Sequence, residues 1–187
     1  ANGGWSALLI TCVLPLAVVG LLDDFCSLST FWRYGIQLLT ASALLATSPL
    51  FMSLIRSLPF VIFVLVGGLL LFSVTAVINF TNFMDGLDGL VAGCMAVVFC
   101  TASLHMRGTS GLWILVGSLL GFLLWNWSPA KIFMGDVGST FLGAVWAGVV
   151  LQAPTWPDAF GLLLVGSPLL ADALFCIPRR YISGHQI

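Results

Sequence analysis

Residues 59–78 read PFVIFVLVGGLLLFSVTAVI, twenty consecutive positions without a charge. At about 1.5 Å of rise per residue, such a run as a helix reaches about 30 Å, the depth of a bilayer's hydrocarbon core. It shows no two-residue alternation, so a barrel strand with one face to lipid is excluded. The segment that follows, NFTNFMDGLDGL (79–90), is opposite in kind: it sets Asn79, Asn82, Asp85 and Asp88 within twelve residues.

Working outward, the same alternation of greasy run and polar break recurs. Six further runs stand at Trp5–Leu22, Ile36–Ile55, Leu90–Met106, Leu112–Trp127, Thr140–Leu151 and Ala159–Ile177. The sixth of the seven is short, so its helix is expected to extend into the flanking loops. The chain is 60% hydrophobic and 7% charged, with a mean hydropathy of +1.13. Soluble domains carry about 25% charged residues, and this chain has too few to cover a water-facing surface. The expected fold is all-α: a polytopic transmembrane helical bundle of about seven helices, one integral-membrane domain over residues 1–187. No basic run exists to hold a nucleic-acid backbone. The five cysteines form no CxxC pair and read as apolar packing. The start lacks the charged region of a signal peptide. His105, beside a polar break, reads as an interfacial histidine. Gly89-xxx-Gly93 and Gly117-xxx-Gly121 read as helix-packing positions.

Each crossing reverses the side, so alternate loops lie together. Asp23–Arg33, Asn79–Gly89, Ser128–Ser139 and Arg179–Ile187 share one side; Arg56–Ser57, Arg107–Gly111 and Ala153–Asp158 share the other. All seven acids are aspartate, and five of them (Asp23, Asp24, Asp85, Asp88, Asp136) fall on the first side. That side also holds Arg33, Lys131, Arg179 and Arg180 against Arg56 and Arg107, which orients it to the cytoplasm. Trp113, Trp125, Trp127 and Trp156 stand near run ends, as an interfacial belt requires.

Ionisable groups beside hydrocarbon are costly and point to function. Aspartate is a hard oxygen ligand suited to Mg²⁺, which takes one or two carboxylates plus waters and substrate phosphates; Mn²⁺ is the substitute ion. On a continuous helix Asp85 and Asp88 would share a face. The amides of Asn79 and Asn82 suit a base or sugar. The amides of GDVGS (135–139) and the Ser139 hydroxyl would meet an anion at a helix N-terminus, and Lys131 and Arg33 bring positive charge for phosphate oxygens. Read singly, each cluster has a plainer meaning: Asp23-Asp24 a solvated loop pair, Asp85-xx-Asp88 a cap, Asp136 an N-cap, Asp172 an ion-pair partner of Arg179.

Together, GLLDDFCSLSTFWRYGIQ, NFTNFMDGLDGL, WNWSPAKIFMGDVGSTFLG and, more weakly, SPLLADALFCIPRR resemble the polyprenyl-phosphate N-acetylhexosamine-1-phosphate transferases, glycosyltransferase family 4, whose members include the phospho-N-acetylmuramoyl-pentapeptide transferases. The pieces occur in the family's order and cover nearly the whole chain. The resemblance implies that a UDP-N-acetylhexosamine gives its sugar-1-phosphate to a polyprenyl phosphate such as undecaprenyl phosphate, releasing UMP and initiating a lipid-linked surface glycan. The WNWSPAKIFMGDVGS form is more similar to the O-antigen branch, with the pentapeptide branch as the alternative. With the residue chemistry above, it makes Asp23, Asp24 and Asp88 the candidate catalytic acids, Asn79, Asn82, Asp85, Lys131, Arg33 and Ser139 the candidate substrate-binding residues, and Asp136 with Asp85 the candidate metal ligands. It implies an inner (cytoplasmic) membrane location with the site on the cytoplasmic face, and leaves room for a homodimer. It further implies a longer protein, with N-terminal helices before this stretch and a His/Arg loop and last helices after it. His185 is not that loop's histidine, and this stretch alone is not expected to be a competent enzyme.

The attacking phosphate monoester has a second pKa of about 6 and is mostly dianionic near neutrality. Bringing two anions together is then the main barrier, which positioning and charge neutralisation lower. An aspartate as base, or as nucleophile in a two-step route, stays open at this point. An aspartate-lined transporter is the rival of another class; it would want its acids near the bilayer midplane, not at helix ends.

Overall fold

The computed structural model of the chain describes residues 4–26, 28–106 and 110–182. Arg107 and His185 lie outside the described residues. Every regular element among those described is helical: α1 (Gly4–Cys26), α2 (Thr30–Ala46), α3 (Pro49–Ser57), α4 (Phe60–Phe83), α5 (Leu90–His105), α6 (Ser110–Asn126), α7 (Gly135–Leu151), α8 (Trp156–Val165) and α9 (Ser167–Ile182), with a 3-10 turn at Met84–Gly86.

Among the described residues the seven apolar runs become nine helices, because two runs break. The second turns by 73° between α2 and α3, and the seventh by 63° between α8 and α9. Each break falls just before a proline in the first turn of the next helix, Pro49 and Pro168, where the missing N–H costs nothing. Ser48 is extended, with φ −78° and ψ 124°. The first bend is pinned to the end of α7: Ser48 Oγ donates to Leu151 O at 2.7 Å, and Gln152 Nε2 donates to Thr47 O at 3.0 Å.

By length and composition α1 and the α4 segment are each able to cross a membrane, and each bent pair passes as one further span. Helices α5, α6 and α7 are equally apolar but only 16 to 17 residues long. α7 extends five residues beyond the apolar run, through GDVGS, as its shortness had suggested. The outer face of α4 carries Val61, Leu65, Leu69 and Phe72, all exposed, while Val74, Val77, Ile78 and Thr81 point inward. Such a continuous exposed apolar stripe belongs against lipid.

α7 is the central helix. From Ser139 onward nearly every residue is buried, including Trp146, whose Nε1 donates to Leu162 O of α8 at 3.4 Å. In lipid, helices gain by close backbone approach more than by apolar burial. A Cβ on Gly20 of α1 would stand 2.7 Å from Val137 Cα, and one on Gly143 would stand 3.0 Å from Ile78 Cα of α4. A Cβ on Gly93, Gly117 or Gly121 would meet nothing within 4 Å, so the GxxxG reading at those sites is corrected: the approach uses other glycines. His105 is exposed, as an interfacial histidine would be, and its Nε2 meets Asp158 Oδ1 at 2.9 Å, at the end of the bundle away from the acid cluster's helix termini.

Candidate active site

Asp23 and Asp24 occupy the last turn of α1, not a loop. A helix C-terminus repels carboxylates through its dipole, so both need compensation from outside. Asp24 finds it at the opposite pole of α7. Its Oδ1 accepts from Asp136 N at 3.0 Å and its Oδ2 from Val137 N at 3.3 Å. One helix therefore caps another across 112 residues of chain. Gly135 makes room: its φ is +69°, and a Cβ there would lie 2.8 Å from Asp24 Oδ2. The anion that the GDVGS amides were expected to meet is, in this structure, a carboxylate of the same chain.

Asp23 is 8% exposed and doubly held, by Leu28 N on Oδ1 at 2.7 Å and by Arg33 Nε on Oδ2 at 3.0 Å. Arg33, in the first turns of α2 and 37% exposed, also reaches Asp136 Oδ2 with Nη2 at 2.9 Å. A planar guanidinium with several fixed donors can span two carboxylates in this way. The other oxygen of Asp136 accepts from Asn82 Nδ2 at 2.9 Å, and the same amide reaches Ser139 Oγ at 2.9 Å. Ser139 is buried, and its hydroxyl donates to Gly135 O. Asp23, Asp24, Arg33, Asn82, Asp136 and Ser139, from four helices, are thus one bonded network.

Asp85 sits partly buried in the 3-10 turn, within electrostatic reach of Asp136 and Asp24. Among the described residues no protein group hydrogen-bonds its carboxylate. Asp88 is not its neighbour on a helix face, which corrects the spacing argument. The helix stops at Phe83 and resumes only after Gly89, at φ +73°. Asp88 instead accepts from Ala130 N at 3.0 Å, in the loop before α7. That contact is flanked by buried Asn126, which accepts from Gly89 N and donates to Ile132 O. Lys131 lies on the same loop with its Nζ 5.3 Å from the centre of the Trp125 ring, and makes no ion pair with the carboxylates among the described residues. Asn79 bonds Gln37 of α2 and the Thr75 carbonyl, and no hydrogen bond joins it to an acid among the described residues. Asp172 accepts from Cys176 Sγ at 3.6 Å and forms no ion pair with Arg179 among the described residues.

Four carboxylates (Asp23, Asp24, Asp85, Asp136) gather here, and Arg33 pairs with two of them, Asp23 and Asp136. The excess of negative charge and the hard oxygen donors fit a divalent cation. Among the described residues no three acidic, His or Cys side chains converge to hold a metal by themselves. Mg²⁺ does not require that, because it retains waters and shares substrate phosphates. Sequence reasoning missed Gln37 and Asn126; the one visible signal was an amide four residues past Arg33 inside an apolar run.

The chain is similar to known proteins over most of its length. The family model for glycosyl transferase family 4 matches residues 6–153. A phospho-N-acetylmuramoyl-pentapeptide-transferase of Synechococcus sp. (strain CC9605) is 36% identical over 201 aligned positions, covering 94% of this chain and 56% of the relative. A probable undecaprenyl-phosphate N-acetylglucosaminyl 1-phosphate transferase of Bacillus subtilis (strain 168) is 32% identical, covering 92% of this chain and 52% of the relative. A phospho-N-acetylmuramoyl-pentapeptide-transferase of Micrococcus luteus is 33% identical, covering 79% of this chain and 53% of the relative. The chain spans about half the length of these relatives.

Proposed function

The chain belongs to glycosyl transferase family 4, and from that premise we propose that the protein containing it transfers N-acetylhexosamine-1-phosphate from a UDP-sugar to a polyprenyl phosphate. An oxygen of the lipid phosphate attacks the sugar-bearing phosphorus, the bond to the UMP oxygen breaks, and UMP leaves with that electron pair. The product is a polyprenyl-diphosphate-linked sugar that starts a surface glycan. The observation that carries the reading is Asp136, held by Arg33 on one oxygen and Asn82 on the other while Asp24 caps its helix.

The residues divide the labour by what they touch. Arg33 keeps Asp23 and Asp136 together and retains N–H donors for phosphate oxygens. Asp24 fixes the start of α7 and so the position of Asp136. Asp85 and Asp136 would hold Mg²⁺, which when bound would supply charge neutralisation for the substrate phosphates. Asp88 shapes the adjoining loop, beside which Lys131 and Trp125 offer a cation and a ring face to the nucleotide.

We favour direct transfer. Both oxygens of Asp23 and both of Asp24 already accept hydrogen bonds, which draws charge from them and makes each a poorer nucleophile. An unperturbed aspartate, with a pKa of about 3.9, is also a weak base for a phosphate proton. Inversion at phosphorus supports direct transfer, and a trapped phospho-aspartyl adduct excludes it.

For the sugar, N-acetylglucosamine-1-phosphate is the first reading. Phospho-N-acetylmuramoyl-pentapeptide is the second, favoured by the 36% identity of the Synechococcus relative. The location that follows is the inner membrane, with the carboxylates on the cytoplasmic face where UDP-sugars are found. The test is a UDP-sugar panel on the complete protein in membranes with polyprenyl phosphate, reading UMP release, with Asp136→Asn as control. Ion flux without UMP would point to a transporter instead.

A further inference from the structure

Gln37 is a buried polar side chain of α2 to which the site described above gives no part. It is 3% exposed. Its Oε1 accepts from Asn79 Nδ2 of α4 at 2.7 Å, and its Nε2 donates to Asn79 Oδ1 at 3.3 Å. Asn79 Nδ2 also donates to Thr75 O at 2.8 Å. The two amides satisfy one another head to tail. Either one alone would leave unmatched polar atoms in an apolar interior, so the pair fixes its two helices in a single register.

The placement of that register matters. Arg33 precedes Gln37 by one turn on the same face of α2, and Asn82 follows Asn79 by nearly one turn on α4. Both steps lead to Asp136, which receives Arg33 on Oδ2 and Asn82 on Oδ1. Gln37 also lines the small cleft shared by Asp23, Arg33 and Asp136. The helices are therefore joined at two levels: directly by the amide pair, and one turn farther on through the Asp136 carboxylate.

We propose that Gln37 is a positioning residue for the transfer site: paired with Asn79, it sets the rotation and height of α2 against α4 and thereby seats the Arg33 guanidinium on Asp23 and Asp136. This rests on the transferase reading above. Phosphoryl transfer depends on placement to within about 1 Å, and a single turn of helix gives the guanidinium little slack. A merely adhesive pair would change stability alone. A positioning pair changes turnover, and does so through Arg33.

The experiment measures UMP release by the complete membrane-embedded protein as wild type, Gln37→Leu, Arg33→Lys and the double variant. Gln37→Leu is expected to lower kcat at least about tenfold, with the KM for the UDP-sugar moving less than about threefold. In the Arg33→Lys background the same replacement is expected to cost less than about threefold, because the fork it seats is gone. Equal losses in the two backgrounds, or an unchanged kcat, overturn the proposal. Should Gln37→Leu fail to fold, Gln37→Leu with Asn79→Leu removes both amides and leaves none unmatched. That variant is expected to regain thermal stability without regaining kcat; recovery of both together overturns the proposal. A wild type that releases no UMP defeats the transferase reading and not this inference. The inference is then judged from spin labels at exposed Tyr34 and Phe133, whose distance distribution must broaden in Gln37→Leu and refutes the positioning role if unchanged.

Discussion

Asp24 ends α1 and Asp136 begins α7, and the carboxylate of the first accepts the backbone amide of the second at 3.0 Å. An acid that looks catalytic by its position is thus also a helix cap in trans. Asp24→Ala removes the acceptor for two amides and is expected to cost about 1 kcal/mol of stability, the ordinary value of an N-cap. Asp24→Asn keeps one acceptor oxygen but turns an amide toward a backbone N–H, so it should recover only part of that loss. Denaturant unfolding in detergent ranks the three proteins. An Ala variant as stable as wild type would remove the capping role.

Gly135 is the second half of that cap. Alanine there must adopt φ near +69° and bring its Cβ to within 2.8 Å of Asp24 Oδ2. The left-handed conformation alone costs about 1–2 kcal/mol for a residue with a Cβ. Gly135→Ala is expected to lower stability by at least that amount. In the Asp24→Ala background the penalty should shrink, because the crowded carboxylate is gone. A thermal-shift double-mutant cycle reads the difference, and strict additivity would count against the contact.

Much of this was legible in the order of residues alone. The uncharged run Pro59–Ile78 announced a spanning helix, and counting reversals gathered Asp23, Asp24, Asp85 and Asp136 at one end. Hydropathy is a one-dimensional signal, however, and it cannot tell a proline carried within a membrane helix from one that restarts it. The breaks before Pro49 and Pro168 therefore read as continuous runs. Nor does it say which neighbour a residue meets. Gly117 and Gly121 have helix-packing spacing and no partner, whereas Gly20, without such spacing, lies against the α7 backbone. Lys131 carries the expected charge but directs it over Trp125.

That contrast gives a paired prediction. Gly20→Ala forces a Cβ to 2.7 Å from Val137 Cα and must push α1 away from α7. Overpacking of this kind costs about 1–3 kcal/mol. Gly121→Ala meets nothing within 4 Å and replaces a poor helix former, so it should be neutral or stabilising by up to about 1 kcal/mol. Thermal stability of the two variants side by side decides it; a tolerated Gly20→Ala contradicts the close approach.

Arg33 joins two carboxylates with two different nitrogens, Nε on Asp23 and Nη2 on Asp136. Lysine keeps the charge and loses the fork. Arg33→Lys is therefore expected to reduce UMP release by at least about tenfold, since one ammonium cannot hold both acids in place at once. Arg33→Leu should be worse and should also destabilise the fold, because Asp23 is 8% exposed and would keep only the Leu28 amide. Lysine activity equal to arginine activity would mean that charge alone suffices there.

The carboxylates also differ in what they have left to offer a cation. Asp23 and Asp24 accept two hydrogen bonds each, and Asp136 accepts one on each oxygen. Asp85 accepts none among the described residues and stands beside Asp136 and Asp24 electrostatically. It is the acid best placed to take up an added positive charge. Chelation of divalent ions should abolish UMP release by the complete protein, and added Mg²⁺ should restore it. Asp85→Asn should raise the Mg²⁺ concentration needed for half-maximal activity by at least about tenfold, the usual effect of disturbing a metal's surroundings. Asp158→Asn, at a site paired with Thr155 and His105 and remote from the cluster, should leave that concentration unchanged. If Asp85→Asn and Asp158→Asn behave alike in the Mg²⁺ titration, Asp85 is not a metal ligand and its isolation from protein donors has another cause.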